Sequence, residues 1–404
     1  MAPVGPCDVA ERVGCVSVKE VVETSCGGSP APRRRRVIVT DTRFELDEMR
    51  ERARADLGPS HLLSRLAEGT GADILQSGDV PPRRWHRLAG AVLGSAERWA
   101  VAEAAVRAAS DGGFVYSTGE DVGVPIVLVN GIRRRAAIVV HANAPQRTQV
   151  RIPLRIARFF GFLPTFTTNT AVKRTFLVRR LKAPVGSVEL LGEQTDESFF
   201  KPQEGVAGEQ VERRALIVSC GLEQRDYDTL ARAVSVLDVD VAVCATSPNA
   251  MSGRTVRMPS LVPDNMIIRI FDFVALRDLY RRADITAIVL LPNDYSAGLT
   301  VLMEAMACGS PVIITRTPGL AEELIDAGVV RGVPPGDADA LRETIESMLV
   351  DRAGTRARAA RAHRYFIEHH TSRAHLEHLM GVLEAVERVP RSKAPRRIGR
   401  GAAT

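Results

Sequence analysis

Residues 284–323 confine the fold more tightly than any other stretch of the chain. Asp284-Ile-Thr-Ala-Ile-Val-Leu-Leu-Pro292 is a short apolar run closed by proline, which is a strand signal. Asn293 to Thr300 is a polar loop, and Val301-Leu-Met-Glu304-Ala-Met-Ala-Cys-Gly309 has helical composition. Ser310-Pro-Val-Ile-Ile-Thr315 is a second strand, and Arg316-Thr-Pro-Gly319-Leu-Ala-Glu322-Glu323 a polar turn. Two strands joined through a helix pair in parallel, and a parallel sheet must be covered by helices on both faces. Thr300 is placed to cap the helix, Gly309 to end it in the left-handed region, and Pro311 to block its continuation. The loop Ser296-Ala297-Gly298-Leu299-Thr300 opens that helix, where free backbone N–H groups favour an anion.

The same alternation runs along the rest of the chain. Val37–Thr40, Asp73–Leu75, Gly113–Tyr116, Pro125–Val129, Ala136–Val140, Thr165–Thr168 and Val188–Leu191 read as strands. Helical stretches fall near 44–56, 59–69 and 82–110, and two basic amphipathic segments span 151–160 and 172–182. A polar, glycine-containing stretch, 201–213, then reads as a linker. A second series follows, with strands at 215–219, 239–245, 266–269, 288–291 and 312–315. Its helices are expected at 226–236, 274–282, 300–308, 319–327, 338–350 and from about 356 to 386. This is an α/β chain of two doubly wound, Rossmann-like domains facing a cleft, at 36–200 and 214–386. Residues 1–35 read as a flexible extension and 387–404 as a basic disordered tail. Ligands of such sheets bind beyond the carboxyl ends of the strands.

Composition narrows the class. The chain has 404 residues, enough for two domains, with 45% hydrophobic and 25% charged residues. No apolar run approaches the ~20 residues of a membrane span, and no signal peptide is expected at the start. The six cysteines, at 7, 15, 26, 220, 244 and 308, form no Cys-x-x-Cys pair and no zinc spacing. Cys220, Cys244 and Cys308 lie in apolar contexts, and buried free thiols suit a cytoplasmic location. Six basic residues against Glu387 in the tail account for most of the net charge of +6. The folded part is then near neutral overall, and no nucleic-acid groove is expected. The segments 147–160 and 173–182 mix Arg and Lys with Leu, Ile and Phe. They can lie on an anionic membrane as a peripheral contact, or pack on the first domain's own sheet.

Glu304 follows Thr300 by four positions, so the two side chains share a helix face. A carboxylate there can accept both hydroxyls of a ribose, while the 298–300 amides meet phosphate. Arg225, in Cys220-Gly221-Leu-Glu-Gln-Arg225, follows the first strand of the second series. His141 ends the strand 136–140, and Glu120 follows another strand in Ser117-Thr-Gly-Glu120-Asp121.

Met303-Glu304-Ala-Met-Ala-Cys-Gly309-Ser-Pro311-Val-Ile resembles the signature of the family 4 retaining glycosyltransferases of GT-B fold. Leu279-Tyr280-Arg-Arg-Ala283-Asp284, Pro318-Gly319-Leu-Ala-Glu322 and Asp196-Glu-Ser-Phe-Phe200-Lys-Pro202 are similar to further stretches of that family. The resemblance is close over 185–385 and faint over 36–185. It implies transfer of a sugar from a nucleotide sugar to an acceptor hydroxyl or amine, with retention of configuration. It also implies donor contacts from Arg225, Ser296, Ala297, Gly298, Leu299, Thr300 and Glu304, and a role for His141 facing the donor sugar; Glu120, by its place after a strand, is a candidate acceptor-side acid. The resemblance implies no cofactor and no essential metal; Asp238-Val-Asp240, which resembles the metal motif of another transferase fold, lies against a strand and is read as chance. Three departures stand out. Ser296 replaces the family's sugar-binding Glu, the family's Arg position in the segment 220–228 is not basic, and Thr40-Asp-Thr-Arg43 replaces a glycine-rich loop. An epimerase or phosphorylase on the same fold, or a non-catalytic partner subunit, are the alternatives.

Overall fold

The computed structural model describes residues 35–109, 112–133, 136–203, 213–245, 258–293 and 297–389. The expected extension and tail, most of the linker, Ser296 and Cys7, Cys15 and Cys26 lie outside the described residues.

The first domain runs β1 (Val37–Thr40), α1 (Leu46–Arg54), α2 (Leu62–Thr70), β2 (Asp73–Gln76), α3 (Arg84–Val92), α4 (Ala96–Ala108) and β3 (Phe114–Ser117). It continues with α5 (Glu120–Arg133), β4 (Ala137–His141), α6 (Thr148–Phe159), β5 (Thr165–Thr168), α7 (Ala171–Arg179) and β6 (Val188–Leu190). Its six strands are parallel, in the order β2-β1-β3-β4-β5-β6. The chain therefore reverses direction across the sheet between β1 and β3, which is where such a sheet opens a ligand crevice.

The second domain holds β7 (Ala215–Cys220), α8 (Tyr227–Val234), β8 (Val239–Cys244), β9 (Met266–Arg269), α9 (Phe273–Arg282), β10 (Ile285–Ile288) and α10 (Leu299–Ala307). Then come β11 (Val312–Thr315), α11 (Leu320–Asp326), β12 (Arg331–Val333), α12 (Ala338–Val350), α13 (Arg352–His369) and α14 (Ser372–Arg388). Its strand order is β12-β11-β10-β7-β8-β9, again all parallel, with the reversal between β7 and β10.

Four local expectations change. The run 125–129, expected as a strand, lies inside α5. Val122, Val124, Ile126, Val127 and Val129 are all buried, and a helix enclosed on every side reads like a buried strand. The single helix over 82–110 is two, because Gly94 adopts φ 85 and Ser95 caps α4 through the Arg98 N–H. Thr300 does not cap α10; Gly298, at φ 81, is the cap residue, and Thr300 is exposed. The terminal helix is likewise two, broken at His370 and Thr371.

That last break redraws the second domain. Thr195, before the linker, accepts from the Ser372 N–H at 3.0 Å and donates its own N–H to the His370 carbonyl at 3.2 Å. Beyond this crossing α14 returns to the first sheet. Leu376, Leu379 and Leu383 are buried there with Ile38, Leu63, Leu66, Phe114 and Tyr116. The domain expected at 214–386 thus ends near His369, and residues 372–388 complete a face of the first domain. Glu387 pairs with Arg36 at 2.8 Å beside β1. The stretch Asp196–Pro202 is a hinge anchor. Asp196 accepts from the Ser60 N–H, while Phe199 and Phe200 enter the second domain's core, with the Arg277 guanidinium 4.3 Å over the Phe199 ring.

Candidate active site

At the reversal of the second sheet, β7 ends in Cys220 and the chain turns through Gly221 at φ 108. Arg225 then forms an antiparallel bridge to Leu290, in the segment after β10. Its Nε donates to the Cys220 carbonyl at 2.7 Å and Nη1 to the Glu223 carbonyl at 2.9 Å. These bonds lock the guanidinium between two glycines. A Cβ on Gly221 would lie 2.3 Å from Nη2, and one on Gly298 would lie 3.5 Å from Nη1. The guanidinium is thereby held beside the start of α10, whose first N–H groups have no partner in the helix. Burial pulls its pKa down from the usual value without threatening its charge.

One turn into α10, Glu304 is buried and Oε2 accepts from the Tyr280 hydroxyl at 2.9 Å. Burial pushes its carboxyl up to about 7, against the lowering effect of the Tyr280 bond. Cys220 and Cys244 face each other across β7 and β8 behind it, both buried. Of the expected donor residues, Arg225, Ala297, Gly298, Leu299, Thr300 and Glu304 converge around this helix start. Ala297 and Leu299 are buried there, so their side chains belong to the core. Tyr280 is the residue that sequence reasoning passed over. It stood in a quoted motif, but its contact with Glu304 joins positions 24 apart.

At the reversal of the first sheet a cavity of about 290 Å³ opens past the strand ends. Thr40, Tyr116, Thr118 and His141 line it from β1, β3 and β4, with His61 and with His375 from α14. His141 pairs through Nδ1 with the Thr167 hydroxyl at 3.0 Å. Desolvation pushes this imidazole down to about 4, helped by His375 and Lys173. At the rim Lys173 donates to Asn169 at 2.7 Å, and Asn169 donates to Glu193. Burial lowers Lys173, while Glu193 and Glu120 work against it.

Glu120 does not join His141. It is buried at the start of α5, and Oε1 accepts the Ala144 N–H at 2.6 Å. Desolvation raises its carboxyl, which is spent on fixing the loop after β4 rather than on facing the cavity. His375 and His61 went unnoticed because they reach the cavity from distant parts of the chain. Arg214 pairs with Asp238 at 2.7 Å and with Asp240 at 3.4 Å, which gives that Asp-x-Asp an ordinary surface role. Among the described residues no cluster of His, Cys, Asp and Glu could hold a metal ion.

Comparison with known proteins follows this geometry. Residues 220–351 match the family model "Glycosyl transferases group 1". The chain is 35% identical over 116 residues to the D-inositol 3-phosphate glycosyltransferase of Corynebacterium jeikeium (strain K411), an alignment covering 26% of this chain and 27% of that protein. It therefore spans about a quarter of the length of the curated relative it matches. Anabaena HepE, solved with UDP and glucose, superposes with a TM-score of 0.58 at 14% identity, over 87% of this chain and 100% of that one. Sucrose-phosphate synthase from Thermosynechococcus elongatus gives 0.61 at 14%, over 87% and 99%. The two parallel six-stranded sheets and these neighbours define a GT-B fold.

Proposed function

We propose that this GT-B protein is a glycosyltransferase that moves a sugar from a nucleotide-sugar donor to an acceptor hydroxyl or amine with retention of configuration. One observation carries the reading. At the reversal of the second sheet a locked guanidinium from the loop after β7, a glycine-opened helix start and a buried carboxylate one turn into that helix converge in space. Arg225 and the first N–H groups of α10 hold the diphosphate, and Glu304, oriented by Tyr280, accepts the ribose hydroxyls. Breaking the bond from sugar to diphosphate puts negative charge on the leaving oxygen. Fixed donors already aimed there stabilise it without reorganising.

The sugar then projects toward the first domain. The neutral His141, held by Thr167, offers a ring nitrogen to a sugar hydroxyl. Retention rests on the likeness of 284–323 to the retaining family. A uridine nucleotide is the first donor to try, since the HepE structures hold UDP and UDP-glucose.

Calorimetry with UDP, GDP and ADP on the wild type and on Glu304→Ala tests the reading. One nucleotide should bind the wild type and bind the variant weakly. Binding by none of the three would overturn it, and product analysis with the matching nucleotide sugar then separates transfer from epimerisation.

A further inference from the structure

The near-neutral average of the folded chain conceals a sharp internal asymmetry. The 67 residues from Val122 to Val188 contain twelve Lys or Arg and no Asp or Glu. Since the whole chain carries +6, everything outside this segment sums to −6. The segment builds α6, α7 and all of α5 after its opening Glu120 and Asp121, all on one face of the first sheet.

Within it α6 has two apolar stripes. Val150, Leu154 and Ala157 are buried against the sheet, as a surface helix requires. Ile152, Ile156, Phe159 and Phe160 form a second stripe on the opposite side, and they are 50%, 48%, 84% and 60% exposed. Phe159 and Phe160 meet edge to face at 5.3 Å, and Phe160 stacks on Phe162 at 6.2 Å, so the outer aromatics are braced against the domain. Arg155 and Arg158, both exposed, flank the stripe. On α7 and just after it, Arg179, Arg180 and Lys182 are exposed as well. Among the described residues none of these five cations makes an ion pair.

We propose that this face docks the protein on a membrane surface rich in anionic lipid, with the outer stripe of α6 inserted among the headgroups. Charge complementarity selects the occupant. A surface on which cations far outnumber acids attracts an anionic partner, and the large apolar side chains at its centre call for an apolar layer beneath the charge. RNA offers the anionic charge without that layer. A second copy of the chain would bring like charge against like charge.

Sedimentation of the full chain with vesicles tests this without any nucleotide, so its outcome is independent of the proposed activity. Vesicles of phosphatidylcholine with phosphatidylglycerol should carry down roughly tenfold more protein than phosphatidylcholine alone, less so at high salt. Phe159→Glu with Phe160→Glu, and separately Arg155→Glu with Arg158→Glu, should each cut that binding by about tenfold or more. Both pairs are exposed, and unchanged thermal melting shows that the fold is intact. The proposal is overturned if binding ignores lipid charge or if either pair of substitutions leaves it intact. It is also overturned if the chain binds RNA but no vesicle, or if the Phe pair acts only by splitting a dimer in solution.

Discussion

The two sheets are built on one plan and reverse direction at equivalent places, yet their crevices are furnished differently. The second sheet's crevice is made of backbone. Gly221 and Gly298 leave room, one guanidinium is wedged between them, and a helix start faces out. The first sheet's crevice is made of side chains, with His61, His141 and His375 arriving from three separate elements. The contrast teaches that a crevice of backbone groups and one cation offers generic anion contacts, whereas a crevice of side chains offers a particular shape.

The sharpest break between the halves should come from α14. Leu379 is fully buried under the first sheet although it lies near the end of the chain. Leu379→Ala should destabilise the first domain by about 3 kcal/mol through the cavity it leaves. Two-step thermal unfolding, with the nucleotide-stabilised transition unmoved, would show that the damage stays on the first side. Equal loss in both transitions would mean that the two sheets melt as one unit.

Arg225→Ala strikes the other side. It removes the proposed charged partner of the diphosphate and leaves the Cys220 and Glu223 carbonyls without their donor. Loss of a charge-assisted, bidentate contact costs about 2–3 kcal/mol, or roughly a hundredfold in nucleotide affinity. Titration calorimetry reads it directly. A fall of less than about threefold would leave the helix start to hold the phosphates alone.

Glu304→Gln should cost less, about tenfold, but it should also change the pH profile. The buried carboxyl releases its proton near 7 rather than near its ordinary 4.5. If the ionised form binds the ribose, affinity rises as pH climbs through 7. The same proton makes the unliganded fold lose stability as pH rises from 4.5 to about 7, because the folded state holds the proton longer than the unfolded chain. The nucleotide's phosphates titrate too, so the Gln variant supplies the baseline. A wild-type profile parallel to that baseline would remove Glu304 from the ribose.

The same contrast explains what the sequence disclosed. Backbone sites announce themselves locally, because glycine, a polar loop and a helix start must be neighbours in the chain. Gly298 and Glu304 were therefore visible before any fold was known, while Arg225, far earlier in the chain, was picked out only by its likeness to a basic position of the family. Glu120 misled because a carboxylate after a strand looks the same whether it faces a cleft or, as here, caps a loop through the Ala144 N–H. Tyr280 and His375 were hidden because each acts across the fold. α14 was assigned to the wrong domain because its apolar stripe says that it is covered, not by which sheet. The basic character of α6 and α7 was legible, but not whether those helices faced a membrane or their own sheet, because the inner and outer stripes of α6 are both apolar at helical spacing.

The smallest expected effect separates the two crevices most cleanly. His141 has its described partners, Thr167, His375 and Lys173, around the first crevice, and its imidazole, held near 4, is neutral from pH 5 upward. His141→Phe should leave UDP affinity within about twofold of the wild type. It should lower the rate of sugar transfer by about fivefold, the worth of one neutral hydrogen bond of roughly 1 kcal/mol. His141→Gln, which keeps a polar atom for the sugar hydroxyl, should recover part of that rate. Because the ring carries no charge in the working range, neither variant should shift the pH at which the rate changes. A displaced midpoint would show that His141 titrates during turnover. It would then act as a proton carrier rather than as a fixed partner of the sugar, and the first crevice would hold chemistry as well as shape.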